Sequence, residues 1–300
     1  MDVNKYALFA DIAETRNFTK SGERMGYTQP GVSHILKAME NELGFPLFLR
    51  SKQGVTLTPN ARDMLPLVRK LLAVNEQLEQ TIASINGLER GHLIIASFVS
   101  ISRNWLPSII YEFRKEYPGI EIELLEGGTD DIVGWVENSI ADFGLLSKKH
   151  ASSLNWLPLY EDPLVAVLPE TEPYISMDRF SLSKMKDQPF IISAEGTDYD
   201  VHAALIKEKI TPNTLLSSKD DSTIVSMVAN HLGISILPSL VVNGAHKKVK
   251  TLPLEPYYSR QLGIGMRTQS TLTPAARHFI EYIQATLPDL ITDEKHADLE

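Results

Sequence analysis

The sequence predicts three parts in series: an all-α N-terminal domain closed by a short β-hairpin, one long helix, and an α/β region built of two subdomains. Three observations carry this reading. Up to about residue 58, short amphipathic helical stretches are punctuated by Gly26 and Gly44 and end on a Gly-tipped pair of short strands. Residues 59–86 hold apolar side chains seven apart without a break. From His92 onward, short apolar or alternating runs interleave with helical ones, the grammar of α/β domains.

The first helix is expected from a cap at Asp2 or Asn4 through Arg16, with Leu8, Phe9, Ile12 and Ala13 on its core face. A second, Thr19 to Met25, stops at Gly26, and a third begins behind Thr28. Thr28 is a natural N-cap, and Pro30 sits in the first turn, where a missing N–H costs nothing. Val32, Ile35, Leu36, Met39 and Leu43 form the apolar stripe of that third helix, while Gln29, Ser33, His34 and Lys37 occupy the opposite face. Two helices joined by a tight Gly-containing turn form a helix-turn-helix, whose second helix enters the DNA major groove N-terminus first. Leu47–Arg50 and Val55–Thr58, with Gly54 at the tip, then read as a wing able to touch phosphate through Arg50 and Lys52. The candidate DNA-binding set is Thr28, Gln29, Pro30, Ser33, His34, Lys37, Arg50 and Lys52.

Thr58-Pro59 opens a helix of about 27 residues, a rod of about 40 Å. Ala61, Val68, Asn75 and Ile82 are seven apart, as are Met64, Leu71, Leu78 and Ile85. So narrow an apolar stripe on so long a helix asks for a partner helix, so Val68, Leu71, Asn75, Leu78 and Ile82 are the expected dimerisation residues. Asn86-Gly87 ends the helix, and Gly91 closes a hinge over residues 87–91.

In the remaining chain, strands are expected at Leu93–Ala96, Ile120–Leu124, Phe143–Leu146, Leu164–Leu168, Phe190–Ser193, near Leu215, at Ile234–Leu237 and at Gln261–Met266. Helices are expected from Trp105, after Gly128-Thr129, at Asp200–Lys209, at Ser222–Asn230 and from Pro274 to Leu287. The pattern divides the chain into 1–58 winged helix-turn-helix, 59–86 linker helix, 87–91 hinge, and 92–300 α/β region; the family resemblance set out below implies that this last is an effector domain, with one subdomain of 92–163 and 268–300 and another of 164–267.

The 300 residues carry a net charge of −9, unevenly spread. Residues 1–90 hold eleven Lys/Arg against ten Asp/Glu, and the rest hold eighteen against twenty-eight, so the positive charge sits where DNA contact is expected. The absence of cysteine excludes disulfides and thiolate chemistry. No signal pattern or membrane-length apolar run is present, and the expected location is the cytoplasm. No HExxH, G-x-S-x-G, P-loop or G-x-G-x-x-G stands in the sequence, and the pairs Asp130-Asp131 and Asp220-Asp221 precede helices as caps do. The expectation is therefore no enzyme, no metal and no cofactor.

The N-terminal sixty residues resemble the DNA-binding domain of LysR-type transcriptional regulators. Phe18-Thr19, Gln29-Pro30, Val32-Ser33, Glu40, Leu43-Gly44, Leu47-Phe48, Arg50 and Leu57-Thr58 carry the likeness. Ser21-Gly22, Met39 and Ala61 depart from the alanine pair, leucine and glycine usual there. The second half resembles the effector domain of the same family, whose fold is similar to periplasmic solute-binding proteins. Here the matching residues are Leu106-Pro107, Phe113, Tyr117-Pro118, Asp142, Leu164-Val165, Leu168-Pro169 and Gly233–Pro238, with His231 in place of a usual glycine.

In α/β domains, ligands bind beyond the carboxyl ends of strands, against helix N-termini. Ser100 and Ser102, Thr129, Ser147 and Thr197 all follow expected strands and are the candidate effector-binding residues. Hydroxyls and helix ends suit a small anion such as a carboxylate, with Phe98 for an apolar part and Arg103 as added charge if it turns inward. The resemblance implies a regulator binding double-stranded DNA at a dyad-symmetric site, as a homodimer through the linker helix and a homotetramer, with RNA polymerase a candidate partner. A sensor whose N-terminal helices bind a protein partner instead of DNA is the alternative.

Overall fold

The computed structural model describes residues 2–51, 54–149, 151–194, 199–243 and 248–297. The chain divides into two compact units, Met1–Gly87 with the turn Asn138–Ile140, and Leu88–Glu137 with Ala141–Glu300.

In the first unit, α1 (Val3–Thr15), α2 (Phe18–Arg24) and α3 (Gln29–Leu43) are followed by the antiparallel pair β1 (Phe48–Ser51) and β2 (Gly54–Leu57) and by α4 (Pro59–Ile85). Asp2 caps α1, and Arg16 ends it in the left-handed region at φ 53°. Leu8, Phe9 and Ile12 meet Val32, Leu36, Met39, Leu47, Ala61, Leu65 and Val68 in one core. The Phe48 ring closes its floor, 5.5 Å from Phe9 and edge-on to Phe18 at 5.6 Å.

Part of the expected seam on α4 is taken up by the core of this unit. Ala61 and Val68 are buried inside this core, because the first turns of α4 pack on α1 and the hairpin. The exposed apolar stripe runs instead through Leu67, Val74, Leu78, Ile82 and Ile85. Seven residues separate Leu67 from Val74, and again Leu78 from Ile85, so the heptad persists: Leu78, Ile82 and Ile85 of the expected seam stay exposed on it, joined by Leu67 and Val74. Of the five expected residues, Leu78 and Ile82 lie on that stripe, Leu71 and Asn75 are half-buried, and Val68 is core.

The second unit contains β3 (Arg90–Ser97), α5 (Val99–Asn104), α6 (Leu106–Glu116), β4 (Gly119–Glu126), α7 (Thr129–Glu137), β5 (Phe143–Ser147) and β6 (Asn155–Pro169). It continues with β7 (Phe180–Ser181), β8 (Pro189–Ser193), α8 (Tyr199–Lys207), β9 (Asn213–Ser218), α9 (Asp221–Ala229) and β10 (Ser235–Pro238). The last elements are α10 (Ser239–Val242), β11 (Val249–Glu255), β12 (Ser259–Met266) and α11 (Pro274–Ala297). An eight-stranded sheet runs β4-β3-β5-β12-β6-β11-β7, with β10 also on β6, and β8 and β9 form a separate parallel pair.

Two apolar clusters lie along this sheet. One gathers Leu93, Ile95, Trp105, Phe113, Phe143 and Phe279, and the other Leu164, Ala166, Phe180, Phe190 and Ile236. The 15-residue β6 joins them: Asn155–Pro163 pairs with β12 and the remainder with β10 and β11. Its first half escaped the sequence reading, which began the strand at Leu164. Pro158 and Pro163 interrupt the donor pattern there, and Pro163 falls where the pairing changes partners.

The subdomain boundary at 267 is also corrected. β12 pairs antiparallel with β5, and its Leu262 and Ile264 are fully buried in the first cluster, so the chain returns to the first subdomain by Ser259. Two further differences concern helices. The expected loop from Ser97 to Asn104 contains α5, whose Phe98 carbonyl accepts from the Ile101 and Ser102 amides. α11 runs on through Pro288 instead of ending at Leu287. Among the described residues, no helix is long and apolar enough to cross a membrane.

Candidate DNA interface and effector cleft

Local chemistry aims α3. Asn17 Oδ1 caps α2 by accepting from the Thr19 and Lys20 amides, at 2.9 and 3.1 Å. The chain then turns at Gly26 (φ 72°), and the Tyr27 amide donates back to the Gly22 carbonyl at 2.8 Å. A Cβ on Gly22 would stand 2.9 Å from the Tyr27 carbonyl oxygen and 3.0 Å from Val32 Cγ2. Glycine thus allows the close approach that sets the angle between α2 and α3, and offsets its poor helix propensity. Thr28 Oγ1 accepts from the Gly31 amide at 3.3 Å, and Glu40 Oε1 accepts from the Leu47 amide at 2.7 Å, tying α3 to the hairpin.

With Val32, Leu36 and Met39 turned into the core, Thr28, Gln29, Pro30, His34 and Lys37 are exposed and Ser33 is half-buried. The six expected residues of α3 and its cap therefore share one solvent-facing end of a 15-residue helix, where free N–H groups favour anions. The Arg50 side chain and Lys52 lie outside the described residues.

In the second unit the carboxyl ends of strands face one another. β3 leads through Phe98 to α5, β4 to α7, β8 toward α8, and β9 to α9. Between α5 and α9 lies a cavity of ≈ 300 Å³. Val99, Ser100 and Arg103 line it from one subdomain, Lys219, Asp220, Asp221 and Val241 from the other. Of the expected effector residues, Ser100 reaches it. Ser102, Thr129 and Ser147, buried like Ser100, are not part of its lining. Ser147 Oγ accepts from the Lys149 amide. Thr197 lies outside the described residues.

Arg103 does turn toward the cavity, joined by Lys219, and neither cation has a hydrogen-bond or ion-pair partner among the described residues. Asp220 is engaged as the cap of α9: its carboxylate accepts from the Ser222 amide at 2.9 Å and from Thr223 Oγ1 at 2.8 Å. The Thr223 hydroxyl, followed by the backbone donors, holds this carboxyl below its ordinary value against some desolvation.

Arg260 and Asp162 were missed. The Arg260 guanidinium is buried, donates to Asp162 Oδ2 through Nε at 2.9 Å and Nη2 at 2.8 Å, and lies 5.5 Å from the Phe98 ring centroid. Nη2 also donates to Ser100 Oγ at 3.1 Å, and Asp162 Oδ1 accepts from the Leu240 amide at 3.0 Å. Asn104 Nδ2 donates to the Leu240 carbonyl at 2.9 Å. This network fixes α5, the crossing strands and α10 together behind the cavity. Its trace in the sequence is a charge in each of two strands, Asp162 beside Glu161 in β6 and Arg260 in β12, and the separation of 98 positions hides the pair.

Residues 3–62 match the family described as bacterial regulatory helix-turn-helix protein, lysR family, and residues 86–288 match the LysR substrate binding domain. The chain belongs to the LysR family. The HTH-type transcriptional activator CmpR of Synechocystis is 28% identical over 94% of this chain and 95% of its own. Full-length OxyR from Pseudomonas aeruginosa shares the fold, with TM-score 0.72 at 22% identity, covering 95% of this chain and 98% of that one. The effector binding domain of QuiR in complex with shikimate superposes with TM-score 0.60 at 22% identity, over 65% of this chain and 96% of its own. The first unit is thus a regulatory helix-turn-helix domain and the second an effector-binding domain. The alternative of a protein-binding N-terminal domain finds no support.

Proposed function

We propose that this LysR-type regulator reads a dyad-symmetric DNA site through the N-terminal end of α3 and is controlled by a small anionic effector held between the subdomains of its second unit. The observation that carries the effector class is the pair of cations, Arg103 and Lys219, unpartnered among the described residues and beside Ser100 in one cavity. Ser100 Oγ already accepts from Arg260, so its hydroxyl proton is directed toward an acceptor such as a carboxylate. That QuiR's domain holds shikimate, itself a carboxylate, supports the class and not the identity.

Gln29, Pro30, Ser33, His34 and Lys37 meet base edges and nearby backbone, with Thr28 fixing the helix start and Arg50 and Lys52 on the wing touching phosphate. The exposed stripe from Leu67 to Ile85 supports α4 as the dimerisation arm, and two dimers form a tetramer in the cytoplasm within reach of RNA polymerase. The functional parts are the winged helix-turn-helix over 1–58, the arm over 59–86, the hinge over 87–91, and the effector domain beyond.

The test is selection of genomic fragments by the purified protein, with affinities measured at several salt concentrations. Enrichment of a dyad site, lost on Ser33→Glu, is the expected result, and no enrichment at any salt from folded protein would overturn the DNA reading. Among the ligands themselves, small carboxylates should raise the Tm of the wild-type protein but not of an Arg103→Ala/Lys219→Ala variant. Stabilisation by cationic metabolites instead would overturn the effector class.

A further inference from the structure

The cavity between α5 and α9 occupies one side of the cleft between the subdomains. On another side, α7 follows β4 and α8 follows β8, and there the Tyr199 hydroxyl donates to Asp130 Oδ2 at 2.8 Å. Asp130 is the second residue of α7 in the first subdomain, and Tyr199 the first residue of α8 in the second. Asp130 was expected to be a helix cap, but its neighbour Asp131 takes that part, accepting from the Gly128 amide at 3.2 Å. Asp130 is thus left to reach across the cleft.

The place of this bond gives it leverage. Of the other polar links described above, Arg260 to Ser100 and Asp162 to Leu240 start from the crossing strands β12 and β6, and Asn104 to Leu240 joins α5 to α10, which packs beside β6, so all three act near where the subdomains are already tied by the chain. β4 stands three strands from β12 in the sheet, about 14 Å at the usual strand spacing. A bond so far from the crossing strands resists opening with a long arm, as a bond beside them cannot. Two packed subdomains joined by a pair of strands have few ways to move, and hinge opening about those strands separates Asp130 from Tyr199.

We propose that the Asp130–Tyr199 hydrogen bond is a clasp that fixes the angle between the two subdomains and so regulates access to the cleft. The regulatory part rests on the reading of that cleft as the effector site, whereas the clasp itself is a property of the subdomain pair. Such a bond favours the closed arrangement by on the order of tenfold, which leaves opening within reach of a ligand's binding energy.

The absence of cysteine makes the test clean. Spin labels on Ser108→Cys in α6 and Lys186→Cys, both at exposed positions of different subdomains, report the angle as a distance distribution in the full chain. Labelled subunits are diluted with unlabelled ones, and neither effector nor DNA is needed. Tyr199→Phe and Asp130→Ala are each expected to move a several-fold larger share of molecules to longer distances. Asp130→Asn, whose carbonyl oxygen still accepts from the phenol, should restore the wild-type distribution. Unchanged distributions in both disruptive variants, or equal shifts with Asp130→Asn and Asp130→Ala, would overturn the clasp. Failure of the effector reading shows separately, as carboxylates that do not stabilise the protein while the distances still respond.

Discussion

The recognition end of α3 and the cleft of the second unit are both polar surfaces at helix N-termini, yet they are built in opposite ways. The first draws six neighbouring residues, Thr28 to Lys37, from one helix, and their exposure follows from the burial of Val32, Leu36 and Met39 on the other face. The second draws Ser100, Arg103, Lys219 and Asp220 from segments more than a hundred residues apart, and it rests on the buried pair Arg260–Asp162. A site on one helix face is set by helical periodicity, while a site between subdomains is set by which strands cross. The two should therefore fail differently.

The largest effect is expected from Arg260→Ala. It leaves Asp162, which is fully buried, without its ion-pair partner, and should destabilise the second unit by about 3–5 kcal/mol, read by denaturant unfolding. A loss below 1 kcal/mol would mean that the cleft does not depend on this network. Thr28→Ala removes the cap of α3 and should lower stability by about 1 kcal/mol, with DNA affinity falling further than stability because the same turn presents Gln29 and Pro30. Equal losses in both measurements would make Thr28 a stability residue alone.

His231→Gly should act in the opposite direction. His231 is exposed and held at φ 61°, so glycine relieves a left-handed backbone and is expected to raise stability by about 1 kcal/mol in thermal unfolding. The smallest effect concerns acid. The Asp220 carboxyl is held below its ordinary value, so its contribution is present at neutral pH and disappears as pH falls through the lowered value. Asp220→Asn should therefore flatten the acid limb of the stability–pH curve by a few tenths of a kcal/mol, since the group is largely exposed to solvent. An unchanged limb would show that the cap does not depend on charge.

Caps, turns and face periodicity were legible without coordinates because each is decided by residues within one turn of the next. Thr28 and Thr58 as N-caps and the span of α4 from Pro59 to Ile85 stand as the residue order implied. Gly22 marks the limit of that legibility: its poor helix propensity is local, but the contact with Tyr27 and Val32 that favours it appears only when α2 and α3 meet. The same limit explains α4. Its heptads are local, but which face is free depends on α1 and the hairpin covering Ala61 and Val68. In the effector half, the serines and threonines after strands were visible, but the five candidates could not be ranked from sequence. All four described hydroxyls are buried, and of them only Ser100 lines the cavity, a difference set by how α5 and α9 approach each other.

By itself, then, the amino-acid order determined the helix-turn-helix, its exposed face, the long helix and the alternation of strands and helices, since short-range hydrogen bonding and side-chain period act along the chain. Tertiary structure alone decided where β12 belongs, which face of α4 is open, that Arg260 meets Asp162, and that Asp130 meets Tyr199. Asp162 and Arg260 are 98 positions apart, Asp130 and Tyr199 are 69, and the β5–β12 partners lie further apart still; no period or cap signal spans such distances, and strand pairing together with helix packing brings these residues together.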